Sequence, residues 1–132
     1  MGKRNELRPT DAELAILRIL WDRGPSTVRQ VHEIVEVDRP LAYTTTLKLL
    51  QIMIEKGLTV REELGRTHVY SASRGEEATQ RTLLDDLLER AFGGSASKML
   101  VQVLATEPAS SEDREEIRKL IARKSKKEND RD

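Results

Sequence analysis

The chain has no cysteine, which removes disulfides, thiolate metal sites and cysteine nucleophiles together. Aromatics are scarce: one Trp, two Tyr and one Phe make up 3% of the 132 residues, so any core has to be aliphatic. Net charge is absent as well, because 23 Lys+Arg balance 23 Asp+Glu. Long hydrophobic runs are missing too; apolar stretches are broken by charge within a few residues, and the opening "MGKRNELRPT" has no apolar centre. No signal peptide or membrane insertion is therefore expected, and the cytoplasm is the expected location. Met1-Gly2 starts like a myristoylation signal, but Glu6 stands where Ser or Thr is required.

What is present is charge, 35% of the residues, unevenly placed. Residues 1–74 carry twelve Lys+Arg against ten Asp+Glu, and the remainder eleven against thirteen. So small a bias allows nucleic-acid binding only where basic groups share one face, because affinity follows local phosphate neutralisation rather than total charge.

Cap signals and apolar spacing divide the chain into elements. Thr10 followed by Glu13 is a capping box, opening a helix to about Asp22 with Leu14, Leu17, Leu20 and Trp21 inward. "DRGPST" breaks it, and Ser26 or Thr27 caps a second helix carrying Val28, Val31, Ile34 and Val35. The residue before Pro40 is pushed out of the helical region, so "EVDRP" is a loop. A third helix follows, with Leu47, Leu50 and Ile54 inward and Gly57 as its stop. From Leu58 the period becomes alternating: a strand to Glu63, a tight turn at Leu64-Gly65-Arg66, and a return strand Thr67 to Ala72. Three helices and a hairpin make a winged helix-turn-helix.

Beyond it, Glu76 to Phe92 reads as a helix with the stripe Leu84, Leu87, Leu88, Ala91 and Phe92. Gly93-Gly94 ends it, and Ser95 caps a fifth helix bearing Met99, Leu100, Val103 and Leu104. Ser110 or Ser111 starts a last helix whose large apolar residues are Ile117, Leu120 and Ile121. Helices so poor in large side chains cannot close a core alone, so pairing with a second copy is expected. The expected class is mainly α with a small β-hairpin: a winged-helix domain over 1–74, a helical dimerisation region over 75–123, and a disordered charged tail over 124–132.

The stretch "LAYTTTLKLL" carries the functional signal. Three β-branched threonines are poor helix formers. With Leu47 and Leu50 inward, Thr44, Thr45 and Lys48 turn outward and Tyr43 stands at the helix entry. Small hydroxyls let a helix axis approach a duplex closely, bonding phosphates or base edges while their methyls touch thymine. Arg66 at the hairpin tip can reach a phosphate or the minor groove. Lys3, Arg4 and Arg8 form a candidate N-terminal arm. His32 and His68 have no partner at metal-ligand spacing, and Trp21 reads as core. No catalytic grouping, phosphate-cradling loop, cofactor or metal site is expected. A protein-interaction module without sequence-specific DNA binding is the second reading, favoured by net neutrality and the lack of arginines on the third helix.

"LRPTDAELAILRILWDRGPSTVRQVHEIV" and "LAYTTTLKLLQIMIEKGLTVREELGRTHVYSA" closely resemble the penicillinase-repressor (BlaI/MecI/CopY) family of bacterial transcriptional regulators. The likeness continues more loosely through "LLERAFGGSASKMLVQVL". It implies a DNA-binding repressor, homodimeric on two-fold symmetric, inverted-repeat operator DNA, contacting it through Tyr43, Thr44, Thr45, Lys48 and Arg66. The copper-responsive branch binds metal through C-terminal cysteines, which this chain lacks. In the β-lactam-responsive branch a membrane sensor-protease triggers cleavage at an Asn-Phe bond; the matching position here is Gln102-Val103.

Overall fold

The computed structural model describes residues 8–106 and 111–130, with side chains as far as Lys124. Six helices and one antiparallel hairpin occur among them: α1 (Asp11–Arg23), α2 (Val28–Asp38), α3 (Tyr43–Glu55), β1 (Thr59–Leu64), β2 (Thr67–Ala72), α4 (Glu76–Phe92), α5 (Ala96–Ala105) and α6 (Ser111–Asp130). The chain divides into two compact units, with the division inside α4 between Leu83 and Leu84. Arg74, where charge composition shifts, lies upstream of that division, because Thr79 on the first turns of α4 is buried.

In the first unit the helix starts are set by reciprocal caps. The Thr10 hydroxyl accepts the Glu13 N–H at 3.2 Å while the Glu13 carboxylate accepts the Thr10 N–H at 2.8 Å. Thr27 and Gln30 repeat the arrangement at the start of α2. The hairpin pairs in register from Thr59 with Ala72 to Leu64 with Thr67. Gly65 at φ +66° followed by Arg66 at negative φ gives a two-residue turn of type II′, whose twist matches that of the strands. Ser26 bridges Tyr70 through two backbone hydrogen bonds of 2.8 and 3.0 Å, so β2 is held on both edges.

The core is Ile16, Leu17 and Leu20 of α1, Val28, Val31 and Val35 of α2, Leu50 and Met53 of α3, and Tyr70 of β2. It is aliphatic apart from Tyr70, as the composition requires. Trp21 packs against its edge and donates its indole N–H to the Arg74 carbonyl at 3.0 Å. That bond places the indole at the rim rather than within the core.

In the second unit the Ser95 hydroxyl caps α5 by accepting the Lys98 N–H. Helix α6 continues to Asp130, whereas a disordered tail is expected from 124 onward. "RKSKKE" lacks apolar residues but is built mostly of strong helix formers, which favours helical backbone there. Lys3, Arg4 and Ser110, expected in an arm and a cap, lie outside the described residues.

Candidate nucleic-acid interface

The first turns of α3 separate their three threonines. Thr44, Thr45 and Lys48 are exposed, whereas Thr46 is fully buried with Leu50 and Met53 below it. The buried stripe is thus Thr46, Leu50, Met53 at i, i+4, i+7, and Leu47 and Ile54 are only half-buried. Threonine fits because it has the shape of valine, provided its hydroxyl finds a partner. It does: Thr46 Oγ1 lies 2.8 Å from His32 Nδ1 of α2.

The N-cap of α3, Ala42, offers no side-chain acceptor. The Thr45 N–H is taken by the Ala42 carbonyl at 3.0 Å, so the N–H groups of Tyr43 and Thr44 are the ones that can meet an outside acceptor such as a phosphate oxygen. Tyr43 is 42% exposed, enough to meet a ligand while its ring stays held. It stands edge-on to His32 with centroids 5.5 Å apart, and the Arg29 guanidinium lies 5.9 Å from its centroid. Arg29, Tyr43 and Arg66 share an open groove of about 460 Å³ between the start of α2, the start of α3 and the hairpin tip.

Among the described residues, neither Lys48 nor Arg66 has a carboxylate at ion-pair distance, so both charges are available to an anion. The wing's Glu63 is occupied by His68, 3.0 Å away. Arg29 and His32 are the members that sequence patterning misses. A signal for Arg29 existed in its place on the face of α2 opposite Val28, Val31 and Val35.

The far end of α3 is anchored differently. Lys56, its C-cap, donates to Glu13 Oε1 at 2.6 Å and to the Arg8 carbonyl at 3.2 Å. Burial would raise the Glu13 pKa, but the hydrogen bond and charge of Lys56, with the Thr10 N–H, outweigh it and hold the carboxyl below the usual glutamate range. The pair ties the start of α1 to the end of α3, the helix that carries Thr44, Thr45 and Lys48.

The expected pairing surface lies on the second unit. Leu84, Leu87, Ala91, Val103, Leu120 and Ile121 are exposed, Leu88, Phe92, Leu100, Leu104 and Ile117 are half-buried, and Met99 is buried. Val101, which the stripe reading omits, is the most exposed large apolar residue described in this unit, at 61%. Gln102 and Val103 sit exposed within hydrogen-bonded α5. Among the described residues no cluster of His, Asp and Glu could hold a metal ion, and no helix is long and apolar enough to cross a membrane.

A family model described as penicillinase repressor matches residues 9–123, from the cap of α1 into α6. A transcriptional regulator BlaI from Mycobacterium tuberculosis is 34% identical over 113 residues, covering 85% of this chain and 81% of that protein. A penicillinase repressor from Bacillus licheniformis is 21% identical over 112 residues, covering 85% and 88%. Among solved structures, the homodimeric winged helix-turn-helix DNA-binding domain of a possible ArsR-family regulator from Mycobacterium bovis aligns with a TM-score of 0.50. It is 20% identical and the alignment covers 68% of this chain and 80% of that one, a likeness of fold alone.

Proposed function

The chain belongs to the penicillinase-repressor family and is a DNA-binding transcriptional repressor, and from that premise we propose that it acts as a homodimer on an inverted-repeat operator. Each copy places Tyr43, Thr44, Thr45 and Lys48 of α3 in a major groove. Arg66 of the wing and Arg29 of α2 take the flanking backbone. The observation that carries this reading is the outward hydroxyl surface of α3, flanked by three cations on three separate elements.

The chemistry follows from size and polarity. Threonines bring the α3 axis close to the base edges, where a hydroxyl bonds an oxygen or nitrogen and a methyl meets the thymine methyl. Lys48, about one turn further on, adds a charge that releases a counterion on binding. Repression then needs occupancy and no reaction.

Dimerisation is supported by the second unit, where Leu84, Leu87, Val101, Val103, Leu120 and Ile121 are all exposed and few large apolar side chains are covered. A second copy offers the matching surface under two-fold symmetry. An inverted repeat with half-sites one helical turn apart calls for two copies of α3 about 34 Å apart. Release by the family's β-lactam-responsive route calls for a membrane sensor-protease and cleavage of α5 at Gln102-Val103, in the cytoplasm. A cut there splits the apolar surface and weakens the dimer. Because the bond lies inside a helix, cleavage requires local opening of α5.

Enrichment of a randomised duplex pool by the full chain, followed by sedimentation of the complex, tests the proposal. An enriched inverted repeat carrying two chains is the expected result. An enriched site without symmetry, or one chain per duplex, contradicts it.

A further inference from the structure

Thr46 is the one hydroxyl of the α3 run that points inward, and the group it meets belongs to another helix. His32 of α2 touches α3 at two places: Nδ1 is 2.8 Å from Thr46 Oγ1, and the ring stands edge-on to Tyr43 at 5.5 Å. Its remaining nitrogen, Nε2, faces Glu36 Oε2 at 3.6 Å, and the side chain is only 12% exposed. Thr46 and Tyr43 are three positions apart, one turn of the same helix. One ring therefore holds a buried point and an exposed point on the leading turns.

Those turns need holding. They contain three β-branched residues of low helix propensity, and Ala42 supplies no side-chain cap. We propose that His32 is a positioning residue for DNA recognition. Through the Thr46 hydroxyl and the Tyr43 ring it fixes the rotation of the first turns of α3 and the aim of Tyr43, without touching the duplex itself. The proposal rests on the placement of α3 at the duplex argued above.

A hydroxyl is well suited to the tether. It donates to a bare Nδ1 and accepts from a protonated one, so the bond persists in either tautomer. Valine keeps the shape of Thr46 but leaves Nδ1 unpartnered in a mostly buried site. Phenylalanine in place of His32 keeps a ring beside Tyr43 and removes both nitrogens. Serine in place of Thr46 keeps the hydroxyl. A recognition surface has to be held to within about half an ångström, so a slackened first turn is felt as lost affinity.

The test uses the full chain and the duplex that the wild-type chain enriches from a randomised pool, titrated by fluorescence anisotropy over a range of salt. Thr46→Val and His32→Phe are expected to bind about fivefold to tenfold more weakly, the size of one lost hydrogen bond. Their salt dependence should match that of the wild type, because no phosphate contact is lost. Thr46→Ser should restore the affinity, and His32→Ala should cost less in a Tyr43→Ala background than in the wild type. Full affinity in both Thr46→Val and His32→Phe, while Lys48→Ala binds weakly, overturns the positioning role. A shallower salt slope in His32→Phe overturns it too, by making His32 a direct contact. Wild-type affinity in Lys48→Ala as well means that the placement of α3 itself is wrong. Should Thr46→Val fail to fold, His32→Phe and the Tyr43 background decide the matter.

Discussion

Thr45 and Thr46 are neighbours with one side chain and opposite surroundings. The first is exposed and the second fully buried against His32. A reading that follows large side chains takes Leu47, Leu50 and Ile54 as the inner stripe. The buried stripe is Thr46, Leu50 and Met53, rotated by about one residue. The difference arises because threonine fills a core position as valine does once its hydroxyl is bonded. Lys48 is insensitive to that shift and stays outside in both readings. Lys48→Ala should lower operator affinity and make the plot of log K against log salt shallower by about one unit, while Arg66→Ala does so more weakly. A salt series of anisotropy titrations measures both, and unchanged slopes would remove these side chains from the phosphate contacts.

Glu13 is the other residue whose surroundings matter more than its type. Its pKa is depressed in the folded state, so the pair with Lys56 contributes stability that is complete above the ordinary glutamate range. That contribution is lost as pH falls through the folded value. Glu13→Gln should therefore cost about 2 kcal/mol at neutral pH. It should also flatten the acid limb of the stability curve below about pH 4.5. Urea melts of both chains across that range read the effect; parallel curves would show that the pair carries no linkage.

At the scale of elements, starts and stops were legible because capping is local chemistry. Thr10 with Glu13, Thr27, and Ser95 each announce a helix within four residues, and each caps the helix expected of it. The hairpin was legible from its change of period and from Gly65. What was not legible crosses between elements: the bridge from Ser26 to Tyr70, the bond from Trp21 to Arg74, and the contact of His32 with residues on α3. No short-range pattern encodes such partners. The end of α6 was missed for the opposite reason, since lack of apolar residues argues against packing but not against a helix. Gly65 allows a direct check of the turn. At φ +66° nothing lies within 4 Å of an added Cβ, so Gly65→Ala meets only backbone strain. It should lower stability by about 1 kcal/mol, because the first central position of a type II′ turn lies in a region that glycine enters freely and alanine does not. A thermal melt of Gly65→Ala that matches the wild type would argue against the type II′ turn.

Among the described residues the core lies in the first unit, while the second, highly charged unit leaves Leu84, Leu87, Val101, Val103, Leu120 and Ile121 exposed. Both follow from composition, since a chain with few aromatics and abundant charge has enough large side chains for one core. Leu87 is half exposed in the α4 stripe. Leu87→Asp should give monomers by light scattering without unfolding the first unit, and should weaken operator binding sharply because the two half-sites are no longer tethered. A chain that stays dimeric with that change would place the pairing surface elsewhere.

The absence of cysteine makes a direct test of the proposed DNA-facing surface possible. Thr45→Cys introduces a single thiol to which a photo-crosslinker can be attached, and the adducts can be mapped on a duplex enriched by the wild-type chain. The account requires two crosslinks, related by symmetry and about one helical turn apart, at major-groove base edges. No crosslink from Thr45→Cys, under conditions where the same probe on exposed Val37 of α2 does react with the duplex, would contradict it.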